Sequence, residues 1–400
     1  MRVICLGGAG GMGRYAARTA AAFDFVTELI ITDLNARTAE TVAAQLGEKA
    51  RGVDLDVRDG KRLQSVLKQG DVVLNTVGPF FRFGVPILKA VIEAGRNYID
   101  LCDDWQPTLE MMALHSQAVR AGVTAVIGLG ASPGITNLLA VRAIRELDRA
   151  DAVYTVWDLD SAKPEVIGPQ PSAAMVHGML QLTGKIRVWE NGGYRDVRPV
   201  RKIVLDYPGI GRRAAWSIGH PEAITLPRFF PGLRTSRNLM VTGGFNIILL
   251  RIVGALVNTG LLSIEKAARL AEKVEGTGVG FTPRDFVRQI KAGGRPRLPP
   301  IFALALGEKH GLPAAVAVTV TSAPAGGMGG ATGVPLAAGL NLFRQPVAPG
   351  VYPPEGCLDP DAFLDILAPL CVPPRKNAAE ILVVTRSWEP GDIREIIRMI

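Results

Sequence analysis

MRVICLGGAGGMGRYAAR (1–18) opens the chain with five glycines in seven positions, directly after a short apolar run. Residues 2–6 have the apolar, β-branched character of a buried parallel strand. The glycines follow as G-x-G-x-x-G at Gly8, Gly10 and Gly13, with Gly11 and Met12 between the last two. RYAARTAAAF (14–23) then reads as a helix whose alanines let it lie close to a sheet. VTELIITD (26–33) is a second strand ending in Asp33, twenty residues past the last glycine. Each part has a mechanical reason: Gly8 permits the turn, Gly10 lets a pyrophosphate approach the backbone, and Gly13 allows close helix–strand contact. The free N–H groups and dipole of the helix hold the anion, and Asp33 accepts from ribose hydroxyls. The expected ligand is a dinucleotide. Asp33 favours NAD because its charge repels a 2′-phosphate, while nearby Arg37 keeps NADP open.

The pattern continues outward. A helix over 36–46 leads to a third strand in RGVDLDV (51–57), which puts Asp56 and Val57 at the expected adenine edge. After a helix near 63–68, DVVLNTVGPF (71–80) is a fourth strand running into Thr76, Gly78 and Pro79, expected along the nicotinamide half. A helix over 85–95, the strand NYIDL (97–101), a helix ending at Gly122 and the strand TAVIGLG (124–130) complete a doubly wound parallel α/β sheet of the Rossmann kind.

Three strand ends then converge: NTVGPFFRFG, YIDLCDDW and GLGASPGITN. Asp100 ends its strand beside the expected nicotinamide and is the first candidate for moving a proton or holding an amine. The alternative is that it closes the following turn. Asp103 and Asp104 precede a helix beginning near Pro107; one of them can serve as an N-cap, and Asp104 is a candidate substrate contact. Cys102 reads as a packing residue. In ASPGITNLLA (131–140), the backbone at Pro133 and Gly134 is placed to hold a carboxylate or to form the pocket floor.

Taken in order, GGAGGMG, ITD, NTVGPF, NYIDL and ASPGITNLL resemble the saccharopine dehydrogenase-like family of NAD(P)-dependent amine oxidoreductases. GVPLAAGLNLF (333–343) and GVYPPEGCLDPDAFLDIL (350–367) resemble its closing segment more loosely. The resemblance implies that Gly8, Gly10 and Gly13 hold the pyrophosphate and Asp33 the ribose. Thr76, Gly78 and Pro79 lie along the nicotinamide, and Asp100 stands at the active-site rim. It also implies an inserted second domain that mediates dimerisation and closes over substrate, before the chain returns to the cofactor domain. The expected activity is hydride transfer at a C–N bond of an amino acid or polyamine-like molecule. The alternatives are a reductase of a larger apolar or lipid-like substrate, or a dinucleotide-binding protein without chemistry.

Beyond residue 150 the pattern changes to strands with tight turns: AVYTVWDL (152–159), KIRVWENGGYRDV (185–197), RKIVLDY (201–207) and AVAVTVTSA (315–323). Helices are expected over 172–182, 247–256, 263–273 and 285–290. This α+β mixture suggests domains of 1–130 and 131–340, with 341–400 returning to the Rossmann domain. A capped helix is expected at Asp359 and Pro360, and EILVVTRSW (380–388) reads as a late strand that can join either sheet. EGTGVGFTPRD (275–285), KAGGRPRLPP (291–300) and SAPAGGMGGATGVP (322–335) read as loops, the last as a hinge or lid. His177 is a candidate substrate contact; Lys185, Arg212, Arg213, His220 and Arg228 are weaker candidates, the arginines and His220 for a carboxylate.

Composition sets the outer limits. At 400 residues, with 48% hydrophobic and 20% charged residues, the chain can build two cores. Its net charge of +8 is spread without blocks or aromatic interleaving, so nucleic acid is not an expected partner. Basic residues recur over 185–213 and 284–297, either as a solvated face or as a pocket for a carboxylate or phosphate. Four scattered cysteines offer neither a zinc site nor a disulfide framework. A strand beginning at once leaves no room for a signal peptide, so a cytoplasmic protein is expected, and the resemblance implies a homodimer. GGFNIILLRIVGALVNTGLL (243–262) is nearly long enough to span a bilayer, but Arg251 and two asparagines interrupt it; it reads as a buried or dimer-interface helix.

Overall fold

A computed structural model describes residues 1–161, 173–275, 282–292 and 297–388. The chain divides into two compact units, Met1–Ile135 with Pro324–Leu358, and Thr136–Ala323 with Asp359–Ile400.

The first unit is built on six parallel strands: β1 (Arg2–Leu6), β2 (Glu28–Asp33), β3 (Ala50–Asp54), β4 (Val72–Asn75), β5 (Asn97–Asp100) and β6 (Thr124–Val126). They lie in the order β6-β5-β4-β1-β2-β3, and β15 (Gly350–Tyr352, numbered in chain order) adds a seventh parallel strand beside β6. Val3, Ile4, Leu6, Leu29, Ile30 and Ile31 are fully buried, as strands covered by helices on both faces require. The strand order reverses between β1 and β4, where a doubly wound sheet opens its ligand crevice.

Local boundaries differ in instructive ways. The helix expected from 85 starts at Phe80, immediately after Pro79, so the loop beyond β4 is shorter than the sequence suggested. The helix ending at Gly122 is two helices, Trp105–Met112 and His115–Ala121.

The glycine-dense stretch read as a hinge or lid is mostly a helix, Gly327–Ala338. Its glycines serve close packing. A Cβ on Gly333 would overlap the carbonyl oxygen of Met12, and one on Gly326 would overlap the Tyr15 ring. This helix therefore lies directly against Gly13–Ala22, bracing the element that begins at the glycine turn.

The second unit carries β7 (Arg149–Asp158), β8 (Ile186–Glu190), β9 (Gly193–Val197), β10 (Lys202–Tyr207), β11 (Gly211–Ile218), β12 (Thr235–Val241), β13 (Ile301–Lys309), β14 (Leu312–Val320) and β16 (Leu382–Arg386). The sheet runs β10-β11-β12-β7-β13-β14-β16, with the β8–β9 hairpin attached to β12. β12 and β7 are parallel and the other pairs antiparallel. The hairpin turn is the expected Asn-Gly pair, with φ of 55° at Asn191 and 74° at Gly192. Alternation along the strands separates two cores. Val156, Leu239 and Phe302 pack with Phe286 and Ile290 of the helix Pro283–Lys291 on one face. Trp157 and Met240 pack with the helices Ala173–Gln181, Gly244–Asn258 and Ile264–Glu275 on the other.

The expected boundaries at 131 and 341 shift. The chain re-enters the first unit at Pro324 and leaves it again at Asp359. Among the described residues after 358, the strand β16 joins the second sheet, pairing Val384 of β16 with Val318 of β14. Ser172, and residues 276–281 and 293–296 of the two expected loops, lie outside the described residues. Among the described residues no helix is long and apolar enough to cross a membrane.

Replacing Gly333 with Leu forces side-chain volume into the contact between Gly327–Ala338 and Gly13–Ala22. Overpacking of this kind costs about 1–3 kcal/mol. The urea midpoint of the first unit should fall accordingly; an unchanged midpoint would mean that the two helices are not pressed together.

Candidate functional site

The turn after β1 owes its shape to missing side chains. Gly7 has φ of 68°, and a Cβ on Gly13 would collide with the Gly7 carbonyl and lie 2.8 Å from Thr76 Oγ1. A Cβ on Gly8 would lie 2.8 Å from that of Cys5. The Gly8 amide donates to Thr32 O at 2.9 Å and the Gly10 amide to Gly7 O at 3.0 Å, which close the loop. Gly10 and Gly11 remain exposed at its crest. The helix Gly13–Ala22 begins with Met12 in the N-cap position, no side-chain cap and no acid in its first turn. The Arg14 amide donates to Gly10 O at 3.1 Å and the Tyr15 amide to Met12 O at 3.2 Å, but no side chain or carboxylate caps this end, and its dipole favours an anion. The residues present fit a dinucleotide pyrophosphate.

The neighbouring strand ends supply the rest. Asp33 terminates β2, and its Oδ1 accepts the Asn35 amide at 3.2 Å. β3 ends at Asp54, three residues short of the expected strand, so Asp56 and Val57 lie in the turn beyond it. Asp56 pairs with Arg58 at 2.6 Å, and those hydrogen bonds hold its carboxyl down at about 2. Thr76 Oγ1 is within hydrogen-bonding distance of the carbonyls of Leu6 (2.9 Å) and Gly7 (3.0 Å), fastening the β4 end to the glycine turn. The Gly78–Pro79 and Ser132–Pro133 peptides are cis.

Asp100 resolves in favour of the turn-closing alternative. Its side chain is fully buried. Oδ1 accepts the amides of Cys102 (3.0 Å) and Gly128 (2.7 Å), and Oδ2 accepts the Tyr98 hydroxyl at 2.9 Å. The Asn75 amide in turn donates to the Tyr98 oxygen at 2.8 Å. The carboxylate thereby ties together the ends of β4, β5 and β6, the three segments that were expected to converge. Burial pushes its pKa up to about 6, against the lowering effect of the two amides. A proton-transfer group must reach a substrate atom, and both Asp100 oxygens are turned into the protein. Both oxygens of Asp100 are thus engaged within the protein, at the junction of three strand ends.

Asp104 occupies the N-cap position of Trp105–Met112, yet its Oδ2 accepts the Phe81 amide at 3.1 Å. It thus binds the first turn of the helix Phe80–Glu93, whose dipole favours the negative charge there. Pro133 and Gly134 are buried in a loop closed on itself: the Gly130 amide donates to Pro133 O at 2.8 Å and the Ile135 amide to Gly130 O at 2.9 Å. They form a floor. Cys102 is fully buried and its thiol is pushed well up by burial, in keeping with a packing role.

In the second unit, His177 is buried on Ala173–Gln181, while Lys185, Arg212 and Arg228 are exposed. His220 is paired with Glu222 at 3.0 Å rather than set out for a carboxylate. Glu222 is fully buried and accepts from Thr136 Oγ1 at 2.7 Å and Asn238 Nδ2 at 3.0 Å. This ringed carboxylate escaped the sequence reading. So did Tyr98, the partner shared by Asn75 and Asp100.

Residues 3–126 match the family described as saccharopine dehydrogenase NADP binding domain. Carboxyaminopropylagmatine dehydrogenase of Synechocystis sp. is 23% identical over 305 residues, covering 72% of each chain. Carboxynorspermidine synthase of Vibrio alginolyticus is 26% identical over 285 residues, 64% of this chain and 66% of that protein. An apo saccharopine dehydrogenase (L-Glu forming) from Saccharomyces cerevisiae superposes with a TM-score of 0.61 over 96% of this chain and 100% of that one. At 16% identity, that likeness establishes the fold.

Asp100→Asn removes a carboxyl that binds its proton more tightly in the folded chain than at its ordinary value of 3.8. Between those two pKa values the folded state holds more protons than the unfolded one, so stability falls as pH rises. The wild type should therefore lose stability relative to Asp100→Asn as pH climbs from about 4 to about 6, as read from urea midpoints. Parallel curves would show that Asp100 is not a buried carboxyl with a raised pKa.

Proposed function

The chain belongs to the saccharopine dehydrogenase-like family of NAD(P)-dependent oxidoreductases, and on that footing we propose that it transfers hydride at a carbon–nitrogen bond of an amino-acid or polyamine-like substrate. The observation that carries the reading is the uncapped helix start behind the Gly8–Gly10–Gly13 turn, at the point where the strand order reverses. The names of two relatives, a carboxyaminopropylagmatine dehydrogenase and a carboxynorspermidine synthase, favour substrates with several nitrogens.

A bound nicotinamide supplies the hydride chemistry. The backbone of Gly8, Gly10, Gly11, Met12 and Gly13 holds the pyrophosphate, Asp33 the adenosine ribose, and Asp56 and Val57 border the adenine. Thr76, Gly78 and Pro79 line the nicotinamide half. Asp100 acts at one remove by locking three strand ends. Asp104, Pro133 and Gly134 are the residues of the first unit proposed to shape the substrate side. Asp33 is expected to set the preference for NADH over NADPH, since its carboxylate meets the position of a 2′-phosphate.

One experiment tests the activity and the preference together. NADH and NADPH are titrated by fluorescence, then nicotinamide absorbance is followed against saccharopine, lysine, ornithine and polyamine-type compounds. Amine-dependent turnover is expected, with NADH bound about ten-fold more tightly, a difference of about 1.4 kcal/mol. Binding without turnover across the panel would leave a dinucleotide-binding protein, and an NADPH preference would remove Asp33 from the ribose.

The same reading includes a cytoplasmic homodimer. It is supported by Ile248, Ile252 and Leu256 at four-residue spacing on Gly244–Asn258, with exposures of 59%, 53% and 37%. Such a stripe is the kind of face a second copy covers. Ile252→Glu should shift sedimentation from dimer to monomer; a wild type sedimenting as a monomer would overturn this part.

A further inference from the structure

We propose that the second unit binds a small dianionic oxyanion, a phosphate group either free or on a small metabolite, in a cavity distinct from the dinucleotide turn. The cavity, of about 310 Å³, lies between the helix Pro283–Lys291, the end of β14 and the segment around Pro373. Its wall carries four cations, Arg284, Arg288, Lys291 and Arg375, with Thr321 and Ser322.

The cations are held there by the fold. Phe286 and Ile290 anchor the helix in the core, and the capping box between Thr282 and Asp285 fixes its start. Positions 284, 288 and 291 consequently fall along one flank. Like charges at such spacing repel by about 0.2–0.5 kcal/mol per pair in an isolated helix. Arg284 also stands in the first turn, the end of a helix that disfavours a cation. Arg288 reaches Asp285 at 3.3 Å, but Arg284, Lys291 and Arg375 make no ion pair with any described residue.

A second observation points to a ligand. Ser322 is 3% exposed, and its hydroxyl is buried with no hydrogen-bond partner; Arg375 Nε is likewise buried and unpartnered. Unmet buried donors cost about 1–3 kcal/mol each. Two such donors beside four positive charges call for an acceptor with several oxygens and more than one negative charge. Guanidinium forks and a hydroxyl that can rotate toward the cavity match phosphate geometry.

The cavity is also separate from the buried Glu222. Phe286 and Ile290 pack on the sheet face that contains Val156 and Leu239, whereas Trp157 and Met240 belong to the opposite face, which Asn238 shares with Met240 by strand alternation. The basic recurrence over 284–297 thereby takes the pocket reading for its first half.

Isothermal titration of the full chain with inorganic phosphate at low ionic strength tests the site, with the dinucleotide turn first saturated by NADPH. One phosphate per chain is expected, with binding weakened at least about ten-fold in the double variant Arg284→Glu/Arg288→Glu. Both of those side chains are exposed, so the fold should survive; an unchanged NADPH affinity checks that it has. Ser322→Ala should weaken phosphate binding without lowering the melting temperature. Repeating the titration with glycerol 3-phosphate separates the sources: tighter binding than phosphate indicates a phosphorylated metabolite, and equal binding indicates the free ion. No saturable binding, or equal binding by the charge-reversed chain, overturns the proposal. In a chain that failed to bind dinucleotide, the charge-reversed variant still distinguishes this site from the glycine turn, because its residues are separate from those of the turn.

Discussion

The structure depends on two glycines that touch. Gly13 can begin its helix where it does only because nothing projects from it toward the Gly7 carbonyl, and Thr76 then fills the remaining gap with bonds to Leu6 and Gly7. That contact sets the distance between the end of β1 and the helix, and so the direction in which the leading amides point. A single methyl group at position 13 would have to be accommodated by backbone, which does not compress. The anion-binding character of the turn is therefore a consequence of sterics first and of electrostatics second.

A second layer of constraint surrounds the turn. Asn75, Tyr98 and Asp100 form a buried polar chain across β4 and β5, and the amides of Cys102 and Gly128 extend it toward β6. Buried polar chains of this kind specify geometry more than they add stability. Here the geometry specified is that of three loops emerging side by side at the carboxyl edge of the sheet, which is where this class of fold binds its ligands.

Much of the first unit was legible in the sequence because each of its signals is local. A strand, a glycine spacing, a helix and a terminal acid occur within 33 residues, and the order of β1 to β6 follows from repeated βα units. What could not be read was long-range. The charge of Asp100 suggested chemistry, and its burial depends on Tyr98 and Gly128, which no spacing rule connects. The glycines of 326–333 suggested a mobile loop, because glycine weakens an isolated helix; their purpose shows only against Met12 and Tyr15, three hundred residues away. Glu222 carried no local signal, because its place depends on Thr136 and Asn238 closing around it. In the second unit the Asn191–Gly192 turn was visible, but the pairing of β16 with β14 was not, since an apolar strand carries no address.

The late return of the chain to the first unit has a consequence for biosynthesis. β15 and the bracing helix Gly327–Ala338 are encoded after the whole of residues 136–323. A ribosome therefore delivers the opening strand first but cannot supply the outer edge and the brace until the inserted unit has left the exit tunnel. Until then the face of the Ala-rich helix that the brace covers is open to water. The part of the molecule translated earliest is among the last to be finished.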